Sequence, residues 1–364
     1  MNWQSIQAKK GEIEFRRKLV RQQVDGEKIF DDEFNRTGIE KILKERMEKT
    51  LRQMRYLKDN EKVLFDPICI EIGAERCQRS LVIENDLGVM CAAIDISYDM
   101  LKSCDYYKAV YNKSRMHFRI CCDVTSLPIK SDSVTFVFCY ETLHHFPYPA
   151  LATEEVHRVL LPGGHFFFDE EGYKRVLHVN LYRSKKIYSR EKLRAGIFKK
   201  VIDYFFAIRS CNEIEHGIIE NDSISIDDWK DALKLFDKKN IILQTPIRAI
   251  KTELFHPKSL LKYILAYLIG GNISGLCQKK GSIVNDNISI YKVLICPECF
   301  ENKTEANLVR NKFGFKCKIC NSVFPVMDDV LFLFSQDKLR EFYPEIYRTM
   351  NNMRFIDENG ARAF

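Results

Sequence analysis

Cys69-Ile70-Glu71-Ile72-Gly73-Ala74-Glu75-Arg76 reads as a short apolar strand that carries one acid and then runs into a loop with a single glycine. That loop decides which cofactors the chain can hold. In a dinucleotide-binding loop the later glycines let the backbone approach a pyrophosphate, which rests on the positive end of the next helix. Here those positions are Glu75 and Gln78. A carboxylate placed where a phosphate should sit repels it, so NAD, FAD and nucleoside triphosphates are poor candidates. A nucleoside cofactor without phosphates remains.

Around this stretch the chain alternates short apolar runs with longer amphipathic segments, the pattern of strands and helices about a mostly parallel sheet. The runs predict strands at 68–72, 90–95, 117–121, 134–140 and 163–168, with later ones at 241–243 and 273–276. Ile39, Leu43, Met47, Leu51 and Met54 at helical spacing predict an amphipathic helix over about 38–57. The 364 residues suggest two or three domains, and 46% hydrophobic with 29% charged residues is a soluble, globular composition. The chain opens without a secretory leader, and its greasiest stretch, Leu260 to Ile269, is too short to span a membrane. A cytoplasmic location follows as the expectation. Thirteen cysteines, an odd number, point to reduced thiols rather than a disulfide framework.

Ligands of open α/β sheets bind beyond the carboxyl ends of the strands, and three such positions are acidic: Glu71, Asp95 and Asp123. Asp95 can accept from two ribose hydroxyls, Asp123 can read an adenine amino group, and Glu71 can orient an amino-acid end. Any one of them alone could simply cap the next helix. Three in order around one glycine loop suggest a nucleoside site, and S-adenosylmethionine (SAM) is a nucleoside cofactor without phosphates.

From Cys69 to Glu170 the sequence resembles the class I SAM-dependent methyltransferases, in particular the UbiE-like, type 11 branch. Asp95-Ile96-Ser97-Tyr98-Asp99-Met100-Leu101 resembles the family's ribose-binding segment, and Asp123-Val124-Thr125-Ser126-Leu127-Pro128 its adenine-contacting loop. Glu141-Thr142-Leu143-His144-His145-Phe146 is similar to its fourth-strand exit, and His157-Arg158-Val159-Leu160-Leu161-Pro162-Gly163-Gly164 to its turn before the fifth strand. The resemblance implies an α/β, Rossmann-like seven-stranded sheet with a helical lid. It implies a SAM site made by Glu71, Gly73, Ala74, Asp95, Ile96, Met100, Asp123, Val124 and Tyr140. Two positions depart from the family: Glu75 stands at the second loop glycine, and Thr135 at an early acid of the fourth strand. A non-glycine residue forced to positive φ costs about 1–2 kcal/mol.

The fourth-strand exit, Cys139-Tyr140-Glu141-Thr142, lacks the Asn/Asp-Pro-Pro-Tyr segment of many amino-nitrogen methyltransferases. An oxygen or carbon acceptor is therefore favoured, with His144 and His145 as candidate general bases. The alternative for both histidines is packing within a loop common to the family.

Cys296-Pro297-Glu298-Cys299 and Cys317-Lys318-Ile319-Cys320, separated by residues 300–316, have the spacing of a structural zinc site. The following Phe324-Pro325-Val326-Met327-Asp328-Asp329-Val330-Leu331 resembles the zinc-ribbon activators that partner tRNA, rRNA and release-factor methyltransferases. The expected organisation is a helical extension over 1–60, a methyltransferase domain over 61–290 with a lid at about 171–238, a zinc ribbon over 291–335 and a tail over 336–364. Between Lys174 and Lys200 lie ten Lys or Arg and one acid, Glu191, interleaved with Tyr182, Tyr188 and Phe198. That segment suits an anionic or amphipathic acceptor, either a small molecule such as a sugar or lipid intermediate, or RNA; a solvated lid face is the simpler reading. The run from Leu260 to Ile269 could touch a membrane surface, with a buried helix as the preferred reading. A third possibility is a scaffold that keeps the fold and has lost the cofactor.

Overall fold

The computed structural model describes residues 3–27, 36–146, 148–184, 196–208, 224–247, 249–283 and 289–351. Two helices lead: α1 (Trp3–Gln23) and α2 (Arg36–Asp59). The core then alternates β1 (Cys69–Ile72), α3 (Gln78–Asp86), β2 (Cys91–Asp95), α4 (Tyr98–Val110), β3 (Phe118–Cys121), β4 (Val134–Tyr140), α5 (Pro149–Val159) and β5 (Leu160–Tyr173). Every residue of β1 to β4 is buried, as expected of parallel strands covered on both faces. Ile70, Ile72, Ile94 and Val137 pack with α5, while Cys69, Ala93, Phe136 and Phe138 belong to clusters with α2, α3 and α4. This split follows the period-two alternation of a strand.

After β5 come β6 (Tyr182–Arg183), α6 (Ile197–Phe206), β7 (Ala207–Ile208) and α7 (Ile226–Ala232). Then follow β8 (Lys238–Gln244), β9 (Lys251–Glu253), α8 (Leu260–Ile269) and β10 (Gly271–Gln278). The ribbon supplies β11 (Leu308–Asn311), β12 (Gly314–Cys317), β13 (Val323–Met327) and β14 (Val330–Phe332), and α9 (Gln336–Phe342) succeeds it. Tyr188, Cys211 and the rest of the lid at 185–195 and 209–223 lie outside the described residues, as does the tail from 352.

Among the described residues one sheet runs β11-β12-β13-β14-β3-β2-β1-β4-β5-β10-β8-β9. β3-β2-β1-β4-β5 are parallel, and β10 and β8 complete the expected seven strands in antiparallel pairing. Strand order reverses between β1 and β4, and this is where such sheets bind ligands. The sheet continues past seven at both edges. β9 extends one edge, and on the other β14 pairs in parallel with β3, aligning Val330 with Arg119 and Phe332 with Cys121. The ribbon thus closes what would otherwise be an open edge of the core. A bridge between Ile129 and Leu294, and the Arg158 guanidinium 4.5 Å from the centre of the Phe300 ring, secure it further.

Candidate functional site

Gly73 follows β1 at φ +66°, and a Cβ there would lie 2.3 Å from Thr142 Oγ1. Only glycine satisfies both constraints. Ala74 N–H donates to Ile94 C=O, and the chain then turns through Glu75 at φ 45° and Cys77 at φ 59°. The family's second loop glycine is therefore a glutamate that keeps the left-handed backbone. Its N–H donates to Asp95 Oδ2 at 2.8 Å, and its carboxylate lies 3.3 Å from both Arg16 Nη1 and Arg46 Nη1. Burial alone would raise this carboxyl's pKa. The guanidiniums of Arg46, Arg16, Arg76 and Arg79 outweigh it and hold the group well below the usual carboxylate range.

Asp95, at the end of β2, also accepts from Ser97 N–H at 2.7 Å; burial pushes its pKa up to about 6 against the pull of these two amides and Arg16. Ser97 caps α4, which places Met100 in its buried first turn. Ile96 C=O accepts from Tyr343 OH at 2.6 Å, and the same hydroxyl accepts from Tyr98 N–H. Tyr343 follows α9, so the C-terminal tail braces the candidate ribose segment. Asp123, after β3, accepts from Thr125 through Oδ1 and from Lys9 Nζ through Oδ2 at 2.6 Å, with Val124 buried beside it. Burial raises the Asp123 carboxyl, but Lys9, with Lys338 and Thr125, holds it below its ordinary value.

Glu71 points to α3, where Ser80 donates to its Oε2 from N–H at 2.9 Å and from Oγ at 2.6 Å. Burial lifts this carboxyl to about 7 despite Arg79. From pH 4.5 to about 7 the folded chain holds a proton on Glu71 that the unfolded chain has released. The resulting stability is full below pH 4.5 and is lost as pH rises through 7. Glu75 has the opposite sign: its folded pKa is depressed, so its contribution is present above pH 4.5 and lost as pH falls below it. Urea unfolding of Glu71→Gln should therefore show a shallower decline of stability between pH 5 and 7 than the wild type, the remainder coming from Asp95. An unchanged slope would assign the dependence elsewhere.

β4 and β5 build the other half of the site. The amides of Thr142, Leu143 and His144 all donate to the carboxylate of Glu171, which is completely buried, and His144 Nδ1 lies 2.8 Å from its Oε2. Burial would raise Glu171, yet His144 and these amides keep it ionised, below the usual range. With Nδ1–H held by Glu171, Nε2 is the basic nitrogen of a neutral His144. His145 packs its ring 4.3 Å from that of His144. Tyr140 is buried, donates to Gln53 and lies under the Arg79 guanidinium. Thr135, the other departure from the family pattern, donates to Phe65 and Ile68 carbonyls inside the core.

α1 and α2 cover these groups. α2 pairs Arg46 with Glu141 at 2.5 Å and Lys49 with Asp169 and Glu170 at 2.6 and 2.8 Å; α1 sets Lys9 on Asp123 and Arg16 on Glu75. Sequence reasoning missed these cations and Glu171. The only local signal was the acidic triplet Asp169-Glu170-Glu171. Five buried side-chain atoms around the loop have no hydrogen-bond partner among the described residues: Glu12 Oε2, Glu71 Oε1, Arg76 Nε, Gln78 Oε1 and Arg79 Nε. Such atoms are what a polar ligand would satisfy, so the residues present fit a cofactor rich in donors and acceptors.

In the ribbon, the thiols of Cys296, Cys299, Cys317 and Cys320 lie within 4.8 Å of one another. Cys296 and Cys320 are 3.5 Å apart and Cys299 and Cys317 3.7 Å. Tetrahedral thiolates at ~2.3 Å from a metal stand ~3.8 Å apart. The cluster therefore fits a four-coordinate metal with no open position. The described cysteines of the core, Cys69, Cys77, Cys91, Cys104, Cys121, Cys122, Cys139 and Cys277, are all buried free thiols.

Residues 70–168 match the family described as methyltransferase domain. This segment of the chain is similar to a methyltransferase domain. It holds every candidate site residue of the core except Glu171 and the cations of α1 and α2. No curated protein matches the chain. Solved structures similar to it include a chain from the complex of a Haloferax volcanii methyltransferase activator with a methyltransferase, 15% identical over 69% of this chain and 99% of that one, with TM-score 0.39. A Bacillus halodurans methyltransferase is 13% identical over 63% and 98% of the two chains, with TM-score 0.37. The YcgJ protein of Bacillus subtilis is 15% identical over 65% and 100%, with TM-score 0.38.

Proposed function

We propose that the chain is a SAM-dependent methyltransferase that acts on an oxygen acceptor of a small molecule or sugar–lipid intermediate and carries a structural zinc in its ribbon. The observation that supports this most is the row formed by Gly73, Asp95 and Asp123 at adjacent strand ends inside the segment similar to a methyltransferase domain. Asp95 would hold the ribose hydroxyls, Ile96 and Met100 would flank the base, Asp123 and Val124 would meet its edge, and Glu71, Gly73, Ala74 and Tyr140 would bound the amino-acid end. SAM supplies a methyl group on a sulfonium, an electrophile that needs little beyond an aligned nucleophile. His144, whose Nδ1 lies against Glu171, would take the proton of an acceptor hydroxyl at Nε2. α1 and α2, whose cations reach Asp123, Glu75, Glu141 and Asp169, would shield the bound cofactor from water.

Calorimetry with SAM and its demethylated product tests the cofactor. The wild type should bind both, and Asp95→Ala should weaken binding roughly tenfold or more, the equivalent of a lost charged hydrogen-bond acceptor. No binding by a folded wild type would leave only the scaffold reading. The seating of the ribbon on β3 favours an RNA acceptor with a built-in activator as the second reading. Binding to bulk tRNA that falls steeply with salt would establish it, and a flat response would end it.

A further inference from the structure

Helix α6 is inside out. Asp203 is its only buried residue, accepting from Tyr182 OH at 2.6 Å with Lys199 3.4 Å away, whereas Ile197 and Phe198 are 83% and 79% exposed. α8 repeats the arrangement: Ala266 alone is buried, and Leu260 and Leu261 are 69% and 67% exposed. This corrects the sequence expectation of a buried helix. The strip 176–183 ties the two helices together. Val176 and Leu177 N–H donate to Leu268 C=O, Val179 N–H to Phe205 C=O and Leu181 N–H to Phe206 C=O, while Tyr204 OH donates to Ile269 C=O. Leu181 is itself 68% exposed. Soluble proteins rarely leave so much aliphatic surface open in one place.

Charge selects the occupant. Within 173–184, 196–208 and 258–270 there are seven Lys or Arg and one acid, the buried Asp203. A second copy meeting the same face across a two-fold axis would set this positive charge against itself. Single-stranded RNA would look for aromatic platforms, and the most exposed side chains apart from Phe198 are aliphatic. An anionic bilayer surface offers both an apolar boundary and negative headgroups, and Lys199, Lys200 and Lys262 can reach the headgroups while the aliphatic side chains enter. No helix among the described residues is long and apolar enough to cross a membrane. We propose that the face formed by α6, α8 and the strip between them docks the protein onto anionic lipid bilayers. This inference does not depend on the cofactor or the acceptor.

The test is co-sedimentation of the full chain with sucrose-loaded vesicles of phosphatidylcholine, with or without phosphatidylglycerol. The wild type should pellet with the anionic vesicles and lose that binding as salt rises. The pairs Ile197→Glu with Phe198→Glu and Leu260→Glu with Leu261→Glu should each reduce partitioning about tenfold or more. Their melting temperatures should stay at the wild-type value, since these side chains lie outside the core. Failure of the wild type to bind either vesicle overturns the proposal, as does equal binding by both folded variants. A wild-type dimer in light scattering that both variants convert to monomer also overturns it, by assigning the face to a second copy.

Discussion

Replacing Cys296 and Cys317 together by serine is expected to unfold the ribbon and strip the outer edge from β3. Structural zinc in small cysteine sites contributes roughly 10–16 kcal/mol of apparent binding free energy, as much as the whole stability of an ordinary domain, about 5–15 kcal/mol. The ribbon's own strands are short, and the side chains it buries, among them Leu294, Phe315, Phe324 and Leu331, belong to the main core cluster, so a ribbon that loses its metal disturbs that cluster too. The damage should spread, because β14 pairs with β3 and Leu333 N–H donates to Cys121 C=O. Beyond it lies Tyr343, which braces Ile96 and Tyr98 at the candidate cofactor site. Metal analysis should find one zinc per wild-type chain and none in the variant. Amide exchange at Phe118–Cys121 should accelerate in the variant, and SAM affinity should fall. A wild-type chain purified without zinc would sink the metal assignment; unchanged protection of β3 would show that the edge does not rely on the ribbon.

The second large effect is expected in the loop. Glu75 keeps a left-handed backbone costing about 1–2 kcal/mol, and Arg16, Arg46 and Arg76 surround its carboxylate. Arg16→Ala should destabilise the protein by about 2 kcal/mol at neutral pH, because both Glu75 and the half-buried Glu12 lose a charged hydrogen-bond partner. The loss should shrink as pH falls below 4.5 and the carboxylates take up protons. Glu75→Gly gives the sharper signature. In the wild-type background it removes strain and ion pairs together and should be neutral or destabilising. In the Arg16→Ala background one ion pair is already gone while Arg46 and Arg76 remain, so the same change should cost less than in the wild type. Urea unfolding of the four proteins gives the coupling, expected at ~1–3 kcal/mol; additivity within ~0.5 kcal/mol would mean the arginine does not hold the loop.

Local patterns made the core readable. The strands of the core, the glycine loop, the acids at the strand ends and the two cysteine pairs are each written in contiguous residues with a known spacing. The first departure, Glu75, was visible too, and its φ of 45° is the strained conformation the family pattern implied. What stayed hidden depends on tertiary approach. Glu171 is one acid of three until β4 and β5 bring the amides of the His144 turn onto it. Lys9, Arg16 and Arg46 are ordinary helix-surface cations until α1 and α2 cross the loop. The Leu260–Ile269 run misled for a different reason: an apolar helix has the same sequence whether it faces a core or a lipid surface.

The pairing of β14 with β3 sets an order on synthesis. β1 to β5 leave the ribosome before the ribbon does, and the outer edge of β3 lacks its β14 partner until Val330–Phe332, far behind it in sequence, has emerged. Closing that long loop is slow, since contacts between distant residues cost chain entropy before they return any stability. During this interval the nascent core presents an apolar strand to any other edge nearby. Because β14 lies on the same polypeptide as β3, the missing strand arrives tethered, at a high effective concentration.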